Sequence, residues 1–186
     1  MRHHSAPARS RSKAAPAAGA APSVAAAAPS VRAVALRQLA AAEKKLMSLA
    51  DATPAEKFGW RPAEGVRSVG EVYMHVASAN YFLPTFWGAK LPAGVDPRGL
   101  EKEGADKAKT VAALRQSFEF LHQAIDAVPE ADLGRQVAVF GQQATVGEVM
   151  VGVATHSHEH LGQSIAYARM NGIVPPWSAK EGARGR

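Results

Sequence analysis

The stretch 155–178, THSHEHLGQSIAYARMNGIVPPWS, decides how the chain folds. Its histidines stand at 156, 158 and 160, an alternation that suits a strand, while the residues around them recur with helical spacing. A helix turns each successive side chain by about 100°, so His156 and His160 share one face, one turn apart. His158 swings to the far side. Gly172 follows the periodic run where helices favour a left-handed residue, and Pro175 and Pro176 forbid continuation. The pattern predicts a helix from Val146 to about Asn171. His156 and His160 lie on its core-facing strip with Val149, Val153 and Gln163, and His158 is solvated.

The start of that helix has a counterpart 77 residues earlier: SVGEVYMHVA from Ser68 and TVGEVMVGVA from Thr145. Each reads as a capping box, Ser68 with Glu71 and Thr145 with Glu148, in which hydroxyl and carboxylate each accept a hydrogen bond from a free backbone N–H. Common capping chemistry explains ten similar residues without a duplication. Before both starts, Ser30 caps a first helix that carries Val34, Leu36, Leu39, Leu46 and Leu49 and stops before Pro54. A loop with Trp60, Pro62 and Gly65 follows, its aromatic ring expected against the end of the helices. The second helix holds Val72, His75, Val76 and Ala79, and ends at Pro84 and Gly88. Residues 91–105 form a long connection rich in Pro, Gly and charge. A third helix runs from about Lys107 to Val128 on Val111, Leu114, Phe118, Leu121 and Ile125, and Pro129 terminates it. LGRQVAVFGQQ, bounded by Gly134 and Gly141, is a loop or small hairpin. Four amphipathic helices with one long central connection give an all-α chain, a four-helix bundle whose core can hold a site built from facing helices.

The 186 residues suit one domain. We divide them into an Ala/Pro-rich leader, 1–29, expected to be disordered, the bundle, 30–178, and a disordered tail, 179–186. Too few large apolar side chains stand in the leader to offset ordering entropy. The net charge of +6 suggests nucleic acid until it is located. Residues 1–42 carry six basic side chains and no acid, whereas from residue 43 onward 16 basic residues meet 16 acidic ones. A neutral domain lacks the basic stripe that phosphate backbones require, so no nucleic-acid partner is expected. Nothing resembles a membrane span, and the leader's prolines interrupt any export signal, which favours the cytoplasm over export. With no cysteine in the chain, thiolate ligands and cysteine nucleophiles are excluded, and any metal must be held by nitrogen or oxygen.

Two histidines at i and i+4 have Cβ atoms about 6 Å apart and can bind one metal. HEHLG begins like a zinc-protease helix at His158 and Glu159, but Gly162 stands where that pattern requires its second histidine. A third ligand must come from elsewhere. His75 is the other histidine on the apolar stripe of an expected core helix, while His122 lies at the edge of the third helix's stripe.

Taken together, Trp60-Arg61-Pro62, SVGEVYMHVASANYF with its central His75, and the stretch after Thr155 resemble the DinB/YfiT-like superfamily. The resemblance covers about residues 30–178. Its most specific part is His156, His160, Gly162 and Gln163 followed by Arg169, Gly172, Pro175 and Pro176. Leu161 stands where the family often has Arg, a change expected at the rim of the site. The resemblance implies that His75, His156 and His160 bind one divalent metal ion, zinc, nickel or iron, with positions left open. Gln163, and Glu71 one turn before His75, are candidates to support the ligands. It also implies a metal-dependent thiol transferase or hydrolase acting on a small molecule, with a low-molecular-weight thiol as cosubstrate in the first case. The alternative is a non-catalytic metal-binding or ligand-sensing stress protein of the same fold. Family members often form homodimers, and Tyr81, Phe82, Phe86 and Trp87 either offer an apolar surface for one or are buried against the chain's own long connection.

Overall fold

The computed structural model describes residues 28–178. Both segments expected to be disordered, the leader up to residue 27 and the tail 179–186, lie outside the described residues. Four α-helices carry the fold: α1 Val31–Ala52, α2 Val69–Phe82, α3 Lys107–Asp126 and α4 Val146–Met170. Between α3 and α4 a two-stranded antiparallel hairpin, β1 Gln136–Val139 and β2 Gln142–Thr145, pairs Val137 with Ala144 and Val139 with Gln142. The chain is thus mostly helical with a small sheet. The hairpin departs from an all-α description because β-branched residues flank a Phe140-Gly141 turn.

Local chemistry sets the boundaries. The Ser30 hydroxyl accepts from Ala33 N–H at α1, and both capping boxes form, Ser68 with Glu71 and Thr145 with Glu148. Pro84 tightens the end of α2 into a 3-10 turn, Leu83–Trp87, closed by Gly88 at φ 104°. The third helix ends at Asp126, two residues before the expected Val128. Asn171 caps α4, and Gly172 takes the left-handed conformation at φ 72°.

Helix α4 packs on α1 and α2, and α3 on α2 and α1. Their shared interior contains Leu39, Leu46, Val72, Leu114, Phe118, Leu121 and Met150, all fully buried. Burying each large side chain is worth about 1.5–3 kcal/mol relative to exposure. Several polar groups inside are paired: Asn80 donates to Ser117, which donates to the Leu114 carbonyl, and the Trp87 indole donates to the Ala124 carbonyl. In the loop before α2 the fully buried aromatic is Phe58. Trp60 is half-buried and meets Tyr167 edge-on at 5.5 Å.

The 91–105 connection is pinned to α2 by glycine against glycine. A Cβ on Gly70 would sit 1.6 Å from the Gly104 carbonyl oxygen, and one on Gly104 would sit 2.6 Å from the Glu71 nitrogen. Backbone meets backbone, so no side chain can yield. This seam holds a 3-10 turn, Leu100–Glu103, over the outer face of α2.

Candidate metal centre

Helix packing brings His75 on α2 together with His156 and His160 on α4. One ring nitrogen from each lies within 4.8 Å of the other two, and the ring centroids are 4.4 to 5.0 Å apart. Among the described residues no fourth His, Cys, Asp or Glu joins this group. His158 faces away, exposed, with Nε2 3.0 Å from the Gln38 carbonyl. His122 lies elsewhere, its Nε2 2.7 Å from Glu43.

Outer partners orient the rings. His75 Nδ1 donates to the Glu101 carboxylate at 2.7 Å, which leaves the Nε2 lone pair free. His160 Nδ1 lies 2.8 Å from Gln163 Oε1, and the Gln163 amide donates to the Tyr167 hydroxyl at 3.0 Å. That chain fixes the amide, so His160 also presents its other nitrogen unprotonated. Gln163 therefore stands where the sequence placed it. Glu71 does not: its carboxylate accepts from the Ser68 N–H at 2.7 Å and pairs with Arg61 at 3.0 Å. Those hydrogen bonds hold its carboxyl below the usual range, with the Ser68 backbone as the largest cause. Capping leaves Glu71 no reach to the triad.

Glu101 and Arg67 are the residues that sequence reasoning missed. Arg67 Nε meets the Glu101 carboxylate at 2.7 Å and Nη2 meets it at 3.3 Å, a two-pronged pair. Burial alone would raise the Glu101 carboxyl, but the hydrogen bonds and charges of Arg67 and His75 outweigh it and hold it low. The only signal in the sequence is a carboxylate in a Gly-rich connection long enough to fold back over α2.

His156 lacks such a partner. Its Nδ1 is buried with no hydrogen bond among the described residues, and its Nε2 lies 3.2 Å from His75 Nε2. Because His75 presents a lone pair there, either His156 tautomer leaves one nitrogen unsatisfied, a costly state in a buried site. Burial, then the charges of His160, His75 and Arg67, push the His156 ring down to about 4. Burial also lowers His160, against the Gln163 hydrogen bond that raises it. Imidazoles whose ring nitrogens turn on one another at one point form a donor set that fits a cation.

The triad has an apolar flank. His75 and His156 line one end of a cavity of about 450 Å³ that continues between α2, α4 and the hairpin past Phe82, Leu83, Val139, Val149 and Gly152 to Phe140. Phe140 is 73% exposed although it is the largest apolar side chain of the hairpin. It stands at φ 50° and Gly141 at φ 82°, the two left-handed positions that a two-residue hairpin requires and that Asn-Gly fills best. A non-glycine residue held there costs on the order of 1–3 kcal/mol. The Phe140 ring lies tilted against Phe82 and edge-on to Phe86, with centroids 6.1 and 5.2 Å away. Of the four aromatics expected to meet another copy, Tyr81 and Trp87 are buried in this chain's own core, and Phe82 and Phe86 are half-buried.

Among the described residues no helix is long and apolar enough to cross a membrane. No curated protein matches the chain significantly. Among solved structures, a DinB-like protein from Bacillus cereus ATCC 10987 superposes with a TM-score of 0.67 at 17% identity, covering 76% of this chain and 93% of that one. A DinB-like protein from Bacillus subtilis covers the same shares at 20% identity with a TM-score of 0.49. The first likeness is one of fold. The family model of the DinB superfamily matches residues 38–164, most of the helical region, and the chain therefore belongs to the DinB superfamily.

Proposed function

We propose that His75, His156 and His160 hold one divalent metal ion and that the protein is a metal-dependent thiol transferase or hydrolase acting on a small molecule. The observation that carries this reading is the convergence of three buried or half-buried imidazoles whose free nitrogens have no better partner than each other. The packing of α1 to α4 around one interior supports the four-helix bundle as the frame of the site.

A divalent ion bound there would supply Lewis acidity, drawing the pKa of a water or of a substrate thiol toward neutrality. The chain's own residues do the rest. Glu101 fixes the His75 tautomer and the orientation of its ring, Gln163 does the same for His160, and Arg67 keeps Glu101 ionised and in place. Structural zinc normally takes four protein ligands and catalytic zinc three with an open position. The triad without a fourth donor among the described residues supports the open, reactive case over the purely structural one. Since the chain has no cysteine, a transferase of this kind needs a low-molecular-weight thiol as cosubstrate.

The test is metal quantification on protein purified without a histidine tag, joined to a screen of electrophilic substrates with and without added thiol. About one metal per chain and turnover that requires thiol support the transferase. Turnover independent of thiol assigns the hydrolase, and stoichiometry far below one per chain sinks the metal centre.

A further inference from the structure

We infer that the cavity beside the triad selects an uncharged apolar group, an aryl or branched alkyl, and that Phe140 is the residue that grips it. The inference deepens the metal-centre reading, and naming the occupant a substrate rests on that reading; the apolar selectivity of the cavity does not.

Three observations converge. The cavity is of small-ligand size, about 450 Å³, within the range in which pockets enclose drug-sized molecules. Its inner end is formed by His75 and His156, so a molecule filling it brings an atom to the imidazoles. Its walls are otherwise mostly apolar, Ser78 being the other polar lining residue, with Glu148 at the rim; that carboxylate is held ionised by its Thr145 cap and repels an anionic occupant. At the outer end the fold keeps an exposed phenyl ring at a turn position that asparagine would fill with less strain. Turn chemistry does not explain a phenyl there, and its contacts with Phe82 and Phe86 still leave it 73% exposed. Contact with an apolar ligand explains it, since a flat ring at the mouth adds stacking to simple burial.

Gly152 shapes the remaining space. It lines the cavity, and a Cβ placed on it meets nothing within 4 Å. A larger side chain there extends into the cavity without disturbing the core. Gly152 also sits in the middle of α4, where most residues are better helix formers.

The test uses the full chain, zinc-loaded and metal-free, and follows the fluorescence of neutral N-phenyl-1-naphthylamine on titration. Saturable binding at one probe per chain is expected, about tenfold weaker in Phe140→Asn, which suits the turn but removes the ring. Gly152→Leu, which fills the cavity, weakens binding at least as much, and Phe140→Tyr retains it. The anionic analogue 8-anilinonaphthalene-1-sulfonate binds more weakly than the neutral probe. Wild-type affinity in both Phe140→Asn and Gly152→Leu overturns the inference, because the probe then sits elsewhere. Equal affinity for the sulfonate overturns selectivity for an uncharged group. Self-association that Phe140→Asn abolishes and probe does not displace overturns it too, assigning the face to a second copy. Zinc uptake near one per chain with no saturable probe binding sinks this inference alone. Binding that both variants lose, in a chain that takes up no zinc, supports it and sinks the metal reading alone.

Discussion

Helices α2 and α4 begin with nearly the same words and end in different chemistry. Both open on a hydroxyl, Val, Gly and a capping Glu, so Gly70 matches Gly147, Glu71 matches Glu148, and His75 falls opposite Gly152. In α2 the first turn is sealed under the 91–105 connection, with Gly70 against Gly104, and the next turn presents a histidine. In α4 the first turn is covered as well, with Gly147 under Val31 and the Leu133 carbonyl, but the next turn is open at Gly152, and the histidines come one and two turns later. Identical capping physics fixes where a helix starts. What covers the following turns decides whether they become a ligand, a wall or a void.

Removing the histidine of α2 tests the difference most severely. His75→Ala should lower metal affinity by more than about 100-fold, beyond the loss typical of a supporting residue, while circular dichroism shows the helices intact; unchanged metal content would sink the shared centre. The glycines should part company next. Gly70→Ala drives a Cβ into the Gly104 carbonyl and should cost about 1–3 kcal/mol or more in urea unfolding, whereas Gly152→Ala, in open space within a helix, should stabilise by up to about 1 kcal/mol. Equal effects at both positions would erase the contrast.

Glu101→Gln sharpens the comparison by leaving the seam in place and altering only the oriented ring. A 10- to 100-fold weaker metal affinity is expected, about 1.4–2.7 kcal/mol, with unfolding nearly unchanged; isothermal titration reads it.

The half-buried His156 gives the metal-free protein a pH dependence. Its folded value of about 4 lies below the ordinary 6.5, so the unfolded chain binds the extra proton between them. Its contribution is present in full above about pH 6.5 and is lost as pH falls toward 4. His156→Gln should flatten that part of the stability profile, and a profile unchanged by the substitution would remove the assignment.

The caps should behave alike. Ser68→Ala and Thr145→Ala are each expected to cost about 1 kcal/mol of unfolding free energy, because both hydroxyls accept from the N–H three residues on. A large inequality would show that the covering connection, rather than the cap, starts α2.

Much of this was legible in advance because its causes are local. Ser30, the two capping boxes, Pro84, Gly88 and Gly172 act within a turn or so of their own positions, and α1, α2 and α4 begin at the residue after their caps. The i, i+4 spacing put His156 and His160 on one face for the same reason. Glu71 misled because spacing along α2 makes it a neighbour of His75, while its carboxylate is already engaged by the N-cap and Arg61. Glu101 was hidden because it stands 26 residues from His75, in a stretch with no period of its own.

The sequence by itself determined four helices, the caps that start three of them, which two histidines face together, and that nitrogen or oxygen must hold any metal. The tertiary structure alone decided that His75 meets them, that Glu101 rather than Glu71 orients it, and that an apolar cavity opens beside the triad. Hydrogen bonds at helix ends and side-chain periodicity are settled within a few residues. The meeting of distant rings depends on how whole helices pack, and here on two glycines whose missing side chains let a connection lie directly against α2.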